Sequence, residues 1–146
     1  MSVFVDTSAI LAALNKADQD HPRIGATLRE LIESEELLFT TSYIVVEMLA
    51  LLQRRLGMEA VHTFERDIIP LLDIDWIDAE VHRTAMASFL AASRRHLSFV
   101  DCVSFDVMHR RGLTRALALD GDFTEHVFEQ IPGLAPEETA PAVAPS

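Results

Sequence analysis

Four acidic side chains stand where folding preferences alone rarely put them. Asp6 ends an apolar N-terminal run, Glu47 sits among apolar helix neighbours, Asp101 lies near a helix start, and Asp120 follows a second apolar run. Carboxylates brought within a few ångströms of one another repel and raise their own pKa values unless a cation binds among them. An all-oxygen donor set suits Mg2+ or Mn2+ better than Zn2+. The histidines, at 21, 62, 82, 96, 109 and 126, are scattered without metal-ligand spacing, and the one cysteine, Cys102, has no Cys or His partner at zinc spacing. The expected chemistry is that of a hard divalent cation held by Asp6, Glu47, Asp101 and Asp120. Asp122 is a further candidate ligand, and Thr7 a supporting hydroxyl for a carboxylate or a metal-bound water.

Each acid also has a structural reading. Asp6 can cap the helix that follows it. Asp101 lies three residues after Ser98, the place of a capping-box acid, and Asp120-Gly121 is a common tight-turn pair. Glu47 is harder to explain this way. Its helix neighbours Tyr43, Ile44, Ala50 and Leu51 are apolar or aromatic, so its carboxylate faces the protein. A charge there needs a partner, and no Lys or Arg lies one helical turn away.

The elements that must position these groups alternate between strand and helix. Residues 2–5 and 37–41 read as strands, each followed by apolar residues at helical spacing over 7–15 and 43–56. Ser42 is placed to cap the second of these helices, and Gly57 to stop it. Further helices are expected over 22–34, 58–69, 78–93 with Asp78 as cap, and 98–111 with Gly112 as stop. Strands are expected over 71–76, 115–119 and, at an edge, 126–131. This rhythm implies an α/β fold, a mainly parallel central sheet flanked by helices on both faces. Ligands in such sheets gather beyond the carboxyl ends of the strands, where all four acids can converge. One domain over 1–133 is expected, with the Pro- and Ala-rich segment 134–146 too poor in large apolar groups to join the core.

Composition narrows the function classes. The chain has 146 residues, 12 Lys and Arg against 23 Asp and Glu, and a net charge of −11, which argues against broad adhesion to phosphate backbones. No apolar run reaches the roughly 18 residues of a membrane span, and no basic region precedes the first apolar stretch, so the expected location is the cytoplasm. Arg54-Arg55, Arg94-Arg95 and Arg110-Arg111 form pairs that read as solvated helix ends complementing helix dipoles. Arg94, Arg95 and Arg110 are also the candidates for contacts to flanking phosphates.

Four phrases, in order, carry a resemblance: VFVDTSA at 3–9, TSYIVVEM at 41–48, LSFVDCVSF at 97–105 and ALALDGDF at 116–123. Together they resemble the PIN-domain family, particularly the VapC-type ribonuclease toxins of bacterial toxin–antitoxin pairs, over residues 1 to about 133. The resemblance implies a metal-dependent endoribonuclease, dimeric and restrained by a small antitoxin that inserts into the active-site groove. Asp6, Glu47, Asp101 and Asp120 would then be the catalytic acids, holding Mg2+ or Mn2+ for attack of an activated water on an RNA phosphodiester. Glu47 is assigned to orient that water or take its proton. Single-stranded or loop RNA is the expected target, because a cleft must reach individual phosphates.

Other readings are an RNA-processing nuclease outside any toxin–antitoxin pair and a non-catalytic PIN-like binding module. A phospho-accepting receiver domain also collects acids at a sheet edge, but it requires a lysine after a late strand, and the one lysine here is Lys16.

Overall fold

The computed structural model describes residues 1–126 and 128–132, apart from the side chains of Asp122 and Glu125. Strand β1 (Ser2–Val5) leads into α1 (Thr7–Leu14) and α2 (His21–Glu33), then β2 (Leu37–Thr41), α3 (Ser42–Arg55) and α4 (Met58–Thr63). After β3 (Asp73–Asp75) come α5 (Ala79–Ala92), α6 (Phe99–Arg111), β4 (Arg115–Leu117), a short α7 (Asp122–Glu125) and β5 (Glu129–Ile131). All pairings are parallel, in the order β3-β2-β1-β4-β5. The α/β expectation is met, with the last strand at an edge. Among the described residues no helix is long and apolar enough to cross a membrane.

The strand order explains the layering. From β1 the chain steps outward to β2 and β3, then returns across the sheet to β4 and β5. Because parallel crossovers are right-handed, the outward helices cover one face and the returning pair α5–α6 the other. Each face buries its apolar side: Phe4, Val3, Ile24, Ile44, Met48, Leu52, Val103, Val107, Met108 and Leu117 are at most 2% exposed. Cys102 is buried in this core.

Local chemistry accounts for most element ends. Ser98 caps α6, accepting from the Asp101 N–H at 3.0 Å while the Asp101 carboxylate accepts from the Ser98 N–H at 3.2 Å. Gly112 ends the same helix at φ +67°, a left-handed conformation that costs glycine nothing. Asp78 caps α5 by accepting from the Val81 N–H.

Several expectations are corrected. The cap of α3 is Thr41, whose hydroxyl accepts from the Ile44 N–H at 3.2 Å. Ser42, buried, is instead engaged by the β3–α5 connection, accepting from the Ile77 N–H at 3.0 Å. The helix expected over 58–69 is α-helical only to Thr63 and continues as a π turn, Phe64–Ile68, and a 3-10 turn, Ile69–Leu71. Pro70 cannot donate into a regular helical ladder, and the wider turn keeps Phe64 fully buried with Ile68 and Ile69 packed on the core.

The strand expected over 71–76 keeps only 73–75, and Trp76 beyond it is 73% exposed. The strand expected over 115–119 ends at Leu117, although the Ala118 N–H still donates to the Ile131 carbonyl. The edge strand expected over 126–131 begins only at Glu129; it follows α7, a short helix not foreseen in the sequence, and the Phe128 N–H still donates to the Phe123 carbonyl of that helix at 3.0 Å. The proposed tail, 134–146, lies outside the described residues.

Candidate active site

The sheet diverges at β1, with β2 continuing one way and β4 the other. Connections leaving these two strands therefore part, and a crevice opens beyond their carboxyl ends. Asp6 leaves β1 at this point, its N–H donating to the Leu117 carbonyl of β4 at 3.0 Å. Asp120 arrives three residues after β4, Glu47 descends from the second turn of α3, and Asp101 comes from the first turn of α6. All four carboxylates line one pocket of about 520 Å³, together with Thr7, Ser8 and Ser98. Ala50, Leu51 and Arg54 of α3 complete its wall.

Asp6 is the deepest of the four, 3% exposed. Its carboxylate accepts from the Ser8 N–H at 3.1 Å and from the Ser8 hydroxyl at 2.6 Å. The Ser8 oxygen in turn accepts from the Leu119 N–H at 3.0 Å. This relay ties the start of α1 to the loop that presents Asp120. Asp6 is thus both the cap of α1 and a wall of the pocket, and Asp101 is both the capping-box acid of α6 and a pocket residue. The structural and chemical readings of these two acids coexist, because a helix N-terminus favours a carboxylate for either purpose.

The electrostatics are those of crowded acids. Burial pushes the Asp6 carboxyl up to about 7, repulsion from Asp120 and more weakly from Asp101 adds to the rise, and the two bonds from Ser8 offset part of it. Positive charge entering the pocket would favour the ionised form of this group.

The residues present fit a hard cation that keeps part of its own water. Four carboxylates supply the oxygen donors and the negative potential, and the Thr7 hydroxyl is a buried oxygen with no hydrogen-bond partner among the described residues. No group of three His, Cys, Asp or Glu closes into a ready-made cage among the described residues.

The remaining candidates fall elsewhere. Arg94 and Arg95 line a separate hollow with Phe89, Leu90 and Ser93. Arg110 is bound to Asp106 at 2.6 Å and reaches Thr84 at 3.3 Å. Asp122 is the first residue of α7, but its side chain is outside the described set. The sequence reading missed Ser8 as a pocket residue and took Arg54 for part of a helix end. Ser8 carried a signal, a hydroxyl two residues after a helix-capping Asp. Arg54 carried a subtler one, its seven-residue spacing from Glu47, which puts both on one face of α3 after two turns.

Comparison with known proteins bears on this arrangement. The PIN domain family model matches residues 3–129. The chain is 30% identical over 130 residues to the 23S rRNA-specific endonuclease VapC20 of Mycobacterium tuberculosis, a match spanning 88% of this chain and 97% of that protein. The crystal structure of that VapC20, described as a sarcin-ricin loop cleaving toxin, superposes with a TM-score of 0.74 at 30% identity, covering 86% of this chain and 95% of that one. The fold recurs at 10% identity in the structure of VapBC2 from Rickettsia felis, with a TM-score of 0.67, covering 89% of this chain and 97% of that one. It recurs at 20% identity in FitAcB from Neisseria gonorrhoeae, with a TM-score of 0.62 and coverage of 89% and 96%.

Proposed function

Since the chain belongs to the PIN-domain family, we propose that it is a divalent-metal-dependent endoribonuclease acting as the toxin of a toxin–antitoxin pair. One observation carries the reading: four carboxylates from four separate segments meet in a single pocket at the divergence of the sheet. The 30% identity to VapC20 makes 23S rRNA, and within it the sarcin-ricin loop, the first substrate to test. A small antitoxin and a second copy of the chain are the partners this reading adds.

Bound in the pocket, Mg2+ or Mn2+ would supply Lewis acidity toward a phosphoryl oxygen and lower the pKa of water. Asp6, Asp101 and Asp120 are the residues that would hold it, with Asp122 adjoining. The Ser8 relay keeps Asp6 and the Asp120 loop in register. Glu47, half-buried on the wall of the pocket, is the carboxylate available to take the proton from the attacking water. The Thr7 hydroxyl can donate to a carboxylate or to a water of the site. Ala50 and Leu51 give an apolar surface against which an unstacked base or ribose can rest.

The test is cleavage of 23S rRNA by purified protein in Mn2+, in EDTA, and by Asp101→Asn. Cleavage is expected in Mn2+ alone, falling by about 10³-fold in the variant, within the range expected when one essential charged group is removed. Cleavage that survives both EDTA and Asp101→Asn would overturn the assignment.

A further inference from the structure

The pocket presents a physical difficulty. Its substrate under the ribonuclease reading is a polyanion, its lining includes four carboxylates, and the whole chain carries −11. A metal at the carboxylates can neutralise one phosphate, but the neighbouring phosphates of the same strand still face a negative surface. A fixed positive group beside the pocket would remove that repulsion, and among the described residues the lining contains one basic side chain, Arg54.

Arg54 differs from the five arginines that the fold ties into ion pairs. Arg23, Arg66, Arg110, Arg111 and Arg115 are each held by a carboxylate at 2.6–3.1 Å. Arg54 is exposed and, among the described residues, forms no salt bridge or side-chain hydrogen bond. It occupies the last turn of α3 beside Arg55, so complementing the helix dipole is one use for it. That use explains the pair but not the position, since Arg54 alone of the two lines the acidic pocket. Two helical turns place it about 10 Å along the helix from Glu47. Ala50 and Leu51 lie between them on the same pocket wall.

We infer that Arg54 grips the RNA phosphate flanking the scissile one and so sets the direction in which the strand leaves the pocket along α3. This rests on the ribonuclease reading above. A guanidinium is suited to the task, because its planar fork can pair with two phosphate oxygens at once. Arg54 would contribute binding and alignment, while the carboxylates perform the chemistry.

The experiment measures binding of the labelled 23S rRNA probe by the cleavage-deficient Asp101→Asn protein across a range of KCl concentrations. The same titration is run with Arg54→Gln, Arg54→Lys or Arg83→Gln added. Arg54→Gln is expected to weaken binding about tenfold at low salt, as loss of a hydrogen-bonded charge does, and to flatten the log–log salt slope by about 0.7, the loss of one phosphate contact on a single strand. Arg54→Lys should keep the slope and lose part of the affinity. Arg83 is exposed on α5 and does not line the pocket, so Arg83→Gln should change neither quantity.

An unchanged slope and affinity in Arg54→Gln overturn the inference, as does an equal change in Arg83→Gln, which would reduce Arg54 to its share of net charge. Wild-type protein that neither binds nor cleaves the same RNA in Mn2+ sinks the ribonuclease reading itself, a result distinct from either.

Discussion

The acidic pocket and the arginine-laced far end of α6 handle charge in opposite ways. At the far end, Arg110 meets Asp106 at 2.6 Å, and Arg111 meets Asp75 at 2.8 Å while lying 4.9 Å from the centre of the Phe39 ring. Every carboxylate named there has a cation beside it. In the pocket, Asp6 is nearly sealed from water, is held by a serine, and faces other carboxylates. Folding has balanced charge in one region and concentrated it in the other. Balanced pairs need nothing further, whereas a buried acid among acids is a standing cost that a bound cation removes.

Breaking the concentrated region should have the largest effect. Asp6→Asn is expected to lower Mn2+-dependent cleavage by about 10³-fold while leaving the fold intact, because it removes one of the essential charges at unchanged size. The same variant tests the electrostatics through pH. With its carboxyl raised from 3.8 to about 7, folded Asp6 keeps a proton that the unfolded chain has released. Its contribution to stability is therefore full below the unfolded value and is lost as pH rises toward 7. Metal-free wild type should accordingly gain melting temperature between pH 7.5 and 5.5 relative to Asp6→Asn, and stabilisation by Mn2+ should fade over the same descent. Parallel melting curves for the two proteins across that range would contradict a crowded, proton-holding Asp6.

Glu47→Gln probes the rim of the pocket. If Glu47 takes the proton of the attacking water, cleavage should fall by about 10²-fold, the lower end of general acid–base contributions. The stabilisation given by added Mn2+, which follows mass action for a ligand of the native state, should shrink if Glu47 also helps to hold the ion. Cleavage and Mn2+ shift both at wild-type level would leave the three aspartates as the working set.

The balanced region should respond least. Arg111→Gln removes a half-exposed ion pair with Asp75, and exposed pairs of this kind contribute about 1 kcal/mol or less. Melting temperature should drop slightly and cleavage should not change. A large loss of activity would mean that the far end of α6 takes part in binding RNA, and the contrast between the regions would have to be redrawn.

Much of this arrangement was legible along the chain because it rests on neighbours. Strands 2–5 and 37–41 follow from short apolar runs, and the capping of α6 follows from a serine three residues before an aspartate. Its end follows from a glycine able to take a positive φ. The four acids were visible for the same local reason: each sits at a strand end or helix start, or among apolar helix neighbours. The parallel alternation then directed them toward one edge of the sheet.

What the chain could not disclose depends on contacts between distant segments. Thr41 caps α3 in place of Ser42 because Ile77, 35 residues away, claims the serine hydroxyl. Helix α4 widens into a π turn because Phe64 must reach a core assembled from other elements. Ser8 matters to the pocket because Leu119, 111 residues on, donates to it. The local sequence determined which side chains could hold a cation and which element carries each. Only tertiary packing decided that Asp6 would be buried deeply enough to hold its proton near neutral pH, and that Arg54 would be the basic side chain on the pocket wall, because burial and through-space repulsion depend on distances between segments that no stretch of sequence specifies alone.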